Sequence, residues 1–248
     1  MRVGVIADVH ANLAALDAVL SALSNLDVVE IICLGDVVGY NAEPSECVDR
    51  IAGTCAATVV GNHDRDVLSP APMAGTRAVA RLVQTWTRDQ LSAAHLAWLG
   101  ALPNRVIHEH GFIAVHGCYL NDHHYTGYVT STMMPANLER VAARDDWPKV
   151  ALVGHTHAAV AAWLYAGKVS ERHDAVCEWP ARATAVLLNP GSVGQPRDGD
   201  PRSSFGVLDV SERRFEIHRV EYDLERTIAA IERAGLPTEL GERLREGQ

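Results

Sequence analysis

Three short apolar segments near the start of the chain, separated by helical patterns, constrain the fold more than any other feature. Residues 3–7, 28–34 and 56–60 have the length and continuous apolar character of buried strands. Leucine and alanine at near-helical spacing follow the first segment, and residues 44–51 after the second predict a helix. Strands that return through helices pair in parallel. The pattern therefore predicts an α/β fold with parallel pairing through crossover helices.

The rest of the chain combines predicted helices with a series of short predicted strands. A helical pattern covers about residues 74–100, and residues 106–107 and 112–115 predict a strand pair. Further predicted strands lie at 150–153, 158–165, 168–172, 184–189, 204–210 and 213–221, and predicted helices at about 223–234 and 238–246. No linker rich in proline, glycine or serine interrupts this order. We therefore expect residues 1–248 to form a single domain with a mixed sheet system.

The charge and the cysteines narrow the classes of partner and location. Twenty-two basic and 31 acidic residues give a formal net charge of −9. Long nucleic acids and membrane surfaces are polyanions, so this charge disfavours both as partners. The five cysteines form no Cys-x-x-Cys pair, which favours reduced thiols over a thiolate zinc site. With no signal-peptide pattern and no apolar run near the roughly 18 residues of a membrane span, we expect a cytoplasmic protein.

Five polar clusters stand where predicted strands end. They are Asp8-x-His10, Gly35-Asp36, Gly61-Asn62-His63-Asp64, His116-Gly117 and Gly154-His155-Thr156-His157. Ligands of open α/β sheets bind beyond the carboxyl ends of the strands, so these clusters would meet in space. In a chain of this composition Asp-x-His is expected about 0.8 times by chance, but Gly-Asn-His-Asp only about 0.002 times. The tetrad at 61–64 and the pair His155/His157 therefore carry the inference.

The residue types in these clusters predict metal ions. Imidazole, carboxylate and an Asn carbonyl suit Mn, Fe, Zn, Co or Ni, and the lack of thiolate disfavours a purely structural zinc site. A carboxylate is able to bridge two ions, and two ions about 3.5–4 Å apart clamp a phosphate between them. We therefore expect two divalent or trivalent cations as cofactors.

The order of the motifs resembles that of the calcineurin-like metallophosphoesterases, from Asp8 to His157. The later Asn189-Pro190-Gly191-Ser192 is similar to a loop of the small prokaryotic phosphodiesterase and phosphatase branch. The resemblance implies a four-layer αββα sandwich, an α/β (α+β) fold with two mixed β-sheets and the dimetal site at strand ends. It also implies hydrolysis of phosphodiester or phosphomonoester bonds in a small phosphorylated substrate.

The resemblance further implies a role for each motif residue. The first metal would be bound by Asp8, His10 and His157, the second by Asn62, His116 and His155, and both by a bridging Asp36. His63 would contact the substrate phosphate and help to protonate the leaving oxygen, and Asp64 would orient its imidazole. A hydroxide bridging the metals would attack phosphorus in line with the leaving group.

Five residues outside the ligand set admit two interpretations each. Asn12 either contacts phosphate or caps the first helix. His123 and His124 either shape the substrate pocket or lie in a surface loop or dimer contact. Arg197 and Arg202 either fork onto a phosphate or belong to a solvated turn.

Other functions compete with the metal-dependent phosphoesterase. A non-catalytic metal-binding scaffold on the same fold is disfavoured because no ligand is missing and His63 is present. A dinucleoside-polyphosphate phosphatase stays open. A protein phosphatase is disfavoured, since that branch carries GNHE and phosphate-binding arginines where this chain has Gly-Asn-His-Asp. The sequence is compatible with a homo-oligomer.

Overall fold

The computed structural model of the protein describes residues 1–69 and 78–248. Its strands are β1 (Arg2–Ile6), β2 (Glu30–Cys33), β3 (Ala57–Thr58), β4 (Arg105–His108), β5 (Phe112–Val115), β6 (Val150–Leu152), β7 (Ala159–Tyr165), β8 (Lys168–Arg172), β9 (Val176–Glu178), β10 (Ala185–Pro190), β11 (Ser203–Asp209) and β12 (Arg214–Val220). Its helices are α1 (Leu13–Leu23), α2 (Pro44–Thr54), α3 (Asn62–Asp66), α4 (Ala78–Gln90), α5 (Ala93–Ala101), α6 (Met134–Ala142), α7 (Leu224–Arg233) and α8 (Glu239–Glu246).

The strands form two six-stranded mixed sheets. The first has the order β3-β2-β1-β11-β12-β9 and the second the order β4-β5-β6-β10-β7-β8. In the first sheet β1, β2 and β3 are parallel, and β11 runs antiparallel to β1. In the second sheet β5, β6 and β10 are parallel, with antiparallel neighbours on both sides. The parallel pairing predicted from the crossover helices is therefore present in both sheets.

Alternation of side chains divides each sheet between two cores. On β5, Phe112 and Ala114 face the core between the sheets, whereas Ile113 and Val115 face a second core beneath a helix. This two-residue period is what a strand buried on both faces requires. The two sheets therefore pack face to face, and each also buries its outer face.

Helices cover the outer faces of both sheets. Residues of α1, α2 and α5 share an apolar cluster with the first sheet, and α6 covers the second. Helices α4, α7 and α8 form a further cluster that includes Tyr40. These layers confirm the predicted four-layer αββα sandwich with two mixed sheets. In the part of the chain that the structure describes, no helix combines the length and apolar character needed to cross a membrane.

Three short elements were not predicted from the sequence, namely α3, α6 and β9. Helix α3 has five residues and lies within the Gly-Asn-His-Asp motif, and β9 has three residues, so neither shows a period. The helical pattern at about 74–100 contains two helices, because the Ser92 side chain accepts the His95 N–H and caps α5. Residues 74–77 of that predicted helix lie outside the described residues.

Candidate metal centre

The seven predicted ligands follow the carboxyl ends of five strands, and the two sheets contribute from both sides. Strands β1, β2 and β3 of the first sheet lead into Asp8, His10, Asp36 and Asn62, and β5 and β6 of the second lead into His116, His155 and His157. The site therefore lies at one end of the sandwich.

The first group of ligands surrounds a small space between β1 and β6. The Nε2 atoms of His10 and His157 are 3.1 Å apart, and His157 Nε2 is 3.5 Å from Asp8 Oδ1. Asp8 and His10 are fully buried, and His157 is 2 % exposed. The three side chains assigned to the first metal therefore come together.

The second group lies beside it. His116 Nε2 is 3.1 Å from Asn62 Oδ1 and 3.1 Å from His155 Nδ1. Asp36 connects the two groups, because its Oδ2 lies 3.6 Å from His10 Nε2 and 3.2 Å from His116 Nε2. This is the position that a bridging carboxylate would take.

The outward hydrogen bonds of the imidazoles test whether cations fit this site. The Nδ1 atoms of His10, His116 and His157 face the carbonyl oxygens of Val38, Leu34 and Gln195 at 3.1, 2.7 and 2.6 Å. A carbonyl oxygen only accepts, so each Nδ1 donates and each neutral ring turns its Nε2 lone pair inward. Lone pairs that face one another across about 3 Å repel unless a positive charge lies between them. The donor set therefore fits bound cations.

The electrostatics of the protein alone lead to the same conclusion. Burial raises the pKa of Asp8 to about 7. Burial would lower the pKa of His116, but the charge and hydrogen bond of Asp36 outweigh it and raise that pKa to about 9. A proton on His116 thus supplies a positive charge beside the buried carboxylates of Asp8 and Asp36. A bound cation would replace this proton, because metal ligation requires the neutral imidazole.

The backbone of the ligand loops is held in an uncommon conformation. Five of the seven ligands have positive φ, with 55° at Asp8, 49° at His10, 52° at Asp36, 66° at His155 and 59° at His157. Non-glycine residues rarely adopt this region, and clusters of them are typical of functional sites. Packing and hydrogen bonds that cross between the loops, such as Asp8 N–H to the Gly35 carbonyl at 3.0 Å, hold the strained positions.

Two motif glycines are required by the carboxylates. A Cβ at Gly61 would lie 2.0 Å from Asp36 Oδ1, and a Cβ at Gly154 would lie 2.9 Å from Asp8 Oδ2. Any larger residue would displace a predicted ligand. The glycines in the motifs therefore let neighbouring loops approach the metal-binding oxygens closely.

His63 lies at the edge of the centre, and ring packing fixes its imidazole. Its ring centroid is 4.6 Å from that of Tyr40 and 4.9 Å from that of His10. A Cβ at Gly39, which has φ of 95°, would lie 2.6 Å from His63 Nδ1. Burial lowers the pKa of His63, and the charge of Asp36 opposes that effect. The side chain is half-buried, so it borders both the ligands and the solvent.

The structure corrects the role expected of Asp64. Its Oδ1 accepts the N–H groups of Val37 and Val38 at 2.8 and 3.1 Å, and its Oδ2 accepts that of Gly61 at 3.0 Å. Within residues 1–69 and 78–248, no hydrogen bond joins it to the His63 imidazole. Asp64 instead fastens the loop after β2 to the start of α3.

For Asn12 and Arg202 the structure favours the second of the two interpretations, a helix cap and a turn residue, over a substrate contact. Asn12 is fully buried, caps α1 through Ala15 N–H, donates to the Gly194 carbonyl and accepts the Thr227 hydroxyl. Because the amide is fully buried, it is not exposed to a phosphate. Arg202 forks onto Asp200, at 3.0 and 2.7 Å from its Nε and Nη2, so it belongs to the turn.

The loop after β5 reaches the centre through a residue other than the predicted pair. His123 and His124 are exposed, and their N–H groups donate to Asn121 Oδ1. The described contacts do not connect either imidazole to a ligand. Tyr128 of the same loop stacks on His155, with ring centroids 4.2 Å apart.

Arg197 and Tyr40 stand beside the ligands. The Arg197 N–H donates to the His157 carbonyl at 3.1 Å, and its guanidinium lies 5.5 Å from the Tyr40 ring centroid. After burial, the charge of Arg197 is the main factor that lowers the pKa of His157. The expectation that Arg197 lies near the site is therefore consistent with the geometry. Tyr40 was not predicted, and its place directly after Gly39 in the loop of the Gly35-Asp36 motif was the available signal.

The chain is similar to known proteins over most of its length. The calcineurin-like phosphoesterase superfamily domain matches residues 1–213. An uncharacterised protein of Methanocaldococcus jannaschii is 34 % identical over 248 residues, which cover 98 % of this chain and 96 % of the relative. The structure of a metallophosphoesterase from Sphaerobacter thermophilus has a TM-score of 0.85 at 36 % identity, covering 100 % and 99 % of the two chains. A hypothetical protein from Pyrococcus horikoshii shares the fold, with a TM-score of 0.81 at 20 % identity over 100 % and 98 %.

Proposed function

The chain belongs to the calcineurin-like phosphoesterase superfamily, and from that premise we propose that it hydrolyses phosphate esters of small substrates with two bound metal ions. The arrangement of Asp36 between two groups of ligands carries the proposal, since one carboxylate oxygen lies within 3.6 Å of a histidine from each group. Mn, Fe, Zn, Co and Ni all suit this donor set. Both phosphodiesters and phosphomonoesters are included.

The protein side chains supply positioning and proton transfer. Two cations in the centre would neutralise the phosphate and lower the pKa of an attacking water. His63 borders the ligands at the solvent side, where its imidazole donates a hydrogen bond to the phosphate and a proton to the leaving oxygen. Tyr40 packs against that imidazole, and the absence of a Cβ at Gly39 leaves room for it. Tyr128 covers His155 and borders the entrance for substrate.

A non-catalytic scaffold on the same fold is less well supported. A scaffold would not need the strained backbone at five ligands, because that conformation costs about 1–3 kcal/mol at each residue. It would also not need His63 to be held against His10.

We further propose that residues 1–248 act as one domain in the cytoplasm, consistent with five free cysteines. Limited proteolysis that releases a stable fragment, or recovery from a secreted fraction, would contradict these two points.

The proposal is tested by hydrolysis of 4-nitrophenyl phosphate and bis(4-nitrophenyl) phosphate after reconstitution with each of the five metals. We expect release of 4-nitrophenol from at least one substrate and about two metal ions per chain, because the ligands form two groups. Mass spectrometry of the metals gives the stoichiometry. Absence of hydrolysis with every metal, together with less than one bound ion per chain, would refute the proposal.

The role of His63 has its own test, the His63→Ala variant. If His63 protonates the leaving oxygen, kcat should fall by about 10²–10⁴ for phenyl phosphate, whose leaving group is basic. The loss should be smaller for 4-nitrophenyl phosphate, because 4-nitrophenolate leaves without a proton, and metal content should stay unchanged. The control is His95→Ala, which removes an imidazole paired with Asp49 away from the centre. Equal losses for both esters would exclude proton donation.

A further inference from the structure

Tyr40 joins the metal centre to the helices at the end of the chain. Its ring lies 4.7 Å from the His10 ring and 4.6 Å from the His63 ring. The same side chain packs against the apolar cluster of α4, α7 and α8. Its φ of 62° shows that the loop is held in a strained conformation to place it there. Tyr40 is therefore a fixed wall of the space beside His63.

Two guanidinium groups lie over this tyrosine. The Cζ atom of Arg197, from the loop after β10, is 5.5 Å from the Tyr40 ring centroid, and that of Arg243, from α8, is 5.9 Å away. Cations within about 6 Å of an aromatic face are attracted to it. Segments far apart in sequence thus bring two positive charges to one ring next to His63.

The charges of Arg197 and Arg243 are not neutralised by the protein. Among the residues that the structure describes, neither guanidinium forms a salt bridge. Arg197 Nη2 donates to the neutral Gln195 Oε1 at 2.8 Å, and Arg197 Nε is buried without a hydrogen-bond partner. Nearby arginines behave differently, since Arg202 pairs with Asp200 and Arg245 of the same helix pairs with Glu225. Residues 70–77, which lie outside the description, contain no Asp or Glu. The Trp147 ring also has several guanidiniums within about 6 Å, but Arg140 and Arg144 there pair with Asp122 and Asp146.

The unpaired donors indicate what would bind there. Two like charges over one ring repel each other, and an anion between them would remove that cost. Planar guanidinium groups bind phosphate through two parallel hydrogen bonds. The reacting phosphate, however, belongs to the metal centre. Within the described part of the chain, no hydrogen bond or ring contact connects Arg243 to a predicted metal ligand. Arg243 would therefore meet a different part of the substrate.

We propose that Arg197 and Arg243, which both lie over the Tyr40 ring, form an anion subsite that binds a second phosphate group of the substrate. The preferred substrates are then phosphate esters or anhydrides with at least two phosphate groups. This inference rests on the proposed phosphoesterase function, but its binding test does not need turnover. The match to the superfamily ends at residue 213, so Arg243 lies outside the shared domain. The subsite would thus add specificity to a common catalytic centre.

The first experiment measures binding to the metal-loaded full chain by isothermal titration calorimetry. The ligands are thymidine 5′-monophosphate and thymidine 3′,5′-bisphosphate, which differ only in the second phosphate. A second pair, a nucleoside monophosphate and its diphosphate, separates an ester-linked from an anhydride-linked second phosphate. We expect the two-phosphate member of at least one pair to bind about ten- to a hundredfold more tightly.

Variants assign that preference to the subsite. Arg243→Gln keeps a polar side chain with the same first three carbons and removes the charge, so it should reduce the affinity ratio to near one. Arg245→Gln is the matched control on the same helix and should retain the wild-type ratio. If the ester-linked second phosphate is preferred, turnover should show the same pattern. The substrates are thymidine 5′-(4-nitrophenyl phosphate) with and without a 3′-phosphate. The ratio of their kcat/KM values should fall in Arg243→Gln and stay at the wild-type value in Arg245→Gln.

The outcomes separate the two proposals. Equal affinities within both pairs for the wild type, or an unchanged ratio in Arg243→Gln, would overturn the subsite whether or not the protein hydrolyses phosphate esters. A ratio that falls in Arg243→Gln but not in Arg245→Gln supports the subsite even if no substrate is turned over. In that case the phosphoesterase proposal alone would fail.

Discussion

Within residues 1–69 and 78–248, histidines and carboxylates form groups of three or more at two places, and only one has the features of a metal centre. One place is the group of seven ligands at the carboxyl ends of the strands. The other contains Glu30 at the start of β2 with His108 and His110 at the β4–β5 turn. There Glu30 Oε1 lies 3.1 Å from His110 Nε2 and 3.5 Å from His108 Nε2. These distances resemble those in the first group, so distance alone does not distinguish them.

The direction of the hydrogen bonds does distinguish them. In the candidate metal centre, Nδ1 of His10, His116 and His157 faces a carbonyl oxygen, which leaves Nε2 as a lone pair. At the second place, His108 Nδ1 accepts the N–H of His110 at 3.4 Å. A neutral His108 therefore carries its proton on Nε2 and turns an N–H group toward Glu30. An N–H that faces a carboxylate is attracted to it without a cation, although Glu30 Oε1 does not form a hydrogen bond with either ring.

Burial and backbone conformation also distinguish the two places. The side chains of Glu30, His108 and His110 are 18, 13 and 24 % exposed, and none of the three has positive φ. In the metal centre, His10 and His116 are fully buried and five ligands are strained. Buried polar groups without partners and strained backbone both cost free energy. We infer that bound metal offsets these costs at the candidate metal centre, whereas the second place has no strained ligand and carries only the smaller cost of the unpartnered Glu30 Oε1.

The largest expected effect comes from Asp36→Asn. In the wild type the backbone N–H of His63 donates to Asp36 Oδ1 at 2.8 Å, and the amide of the variant keeps an oxygen that accepts this bond. It removes the negative charge between the two groups, so we expect about one metal ion or fewer per chain. Hydrolysis should fall by more than about 10³-fold, because metal ions supply several kcal/mol of transition-state stabilisation.

Metal analysis and the rate of 4-nitrophenyl phosphate hydrolysis measure this effect. The control is Glu30→Gln, which neutralises the central carboxylate of the second place without touching the first. If Asp36→Asn retains two metal ions and full activity, Asp36 does not bridge, and the contrast between the two places is lost.

A smaller effect is expected for Asp64, which supports the ligand loops. Asp64→Ala leaves the N–H groups of Val37, Val38 and Gly61 without their acceptor. We expect the free energy of unfolding to fall by roughly 3 kcal/mol, with a smaller loss for Asp64→Asn, which keeps one oxygen. Denaturant unfolding of the metal-free protein gives this order.

The same variants decide between two roles of Asp64. A residue that orients His63 would reproduce the dependence on the leaving group expected for His63→Ala. A residue that fastens two loops would lower the rates for phenyl and 4-nitrophenyl phosphate to a similar degree. The hydrogen bonds predict the second result, which would show that the centre depends on loop support that the second place lacks.

The sequence predicted the layers and that the seven proposed ligands would meet, but not the supports around them. Asp36 and His155 follow predicted strands, and the carboxyl ends of parallel strands meet at one edge whatever the side-chain detail. Asn12 and Asp64 lie in or beside the same motifs, yet their partners are carbonyl and amide groups of other loops. A one-chain pattern contains no information on which loop lies opposite. The sequence therefore left two interpretations of Asn12 open, of which the structure favours the cap, and it assigned Asp64 a role that its hydrogen bonds do not support.

Residues that act through packing were missed for a related reason. Tyr40 and Arg243 are 203 positions apart in sequence, and no motif connects them. They meet because Leu240 and Leu244 bury α8 in the cluster that also contains Tyr40. Helical spacing predicted that α8 has an apolar face, but not which loop that face would cover. Specificity outside the motifs thus depends on tertiary packing.

The smallest expected effect comes from a substitution at the second place, the group of Glu30, His108 and His110. It tests whether that group binds a metal ion. His110→Ala removes one half-exposed pair with Glu30, which is worth less than about 1 kcal/mol. Metal content should stay at about two ions per chain, and the rate of aryl phosphate hydrolysis should not change. Loss of a third, separately titrating ion in this variant would mean that three ligand atoms at suitable distances are enough, even without burial, strain or inward lone pairs. Unchanged stoichiometry would instead show that the outward hydrogen bond of each imidazole decides whether its other nitrogen faces a metal or a proton acceptor.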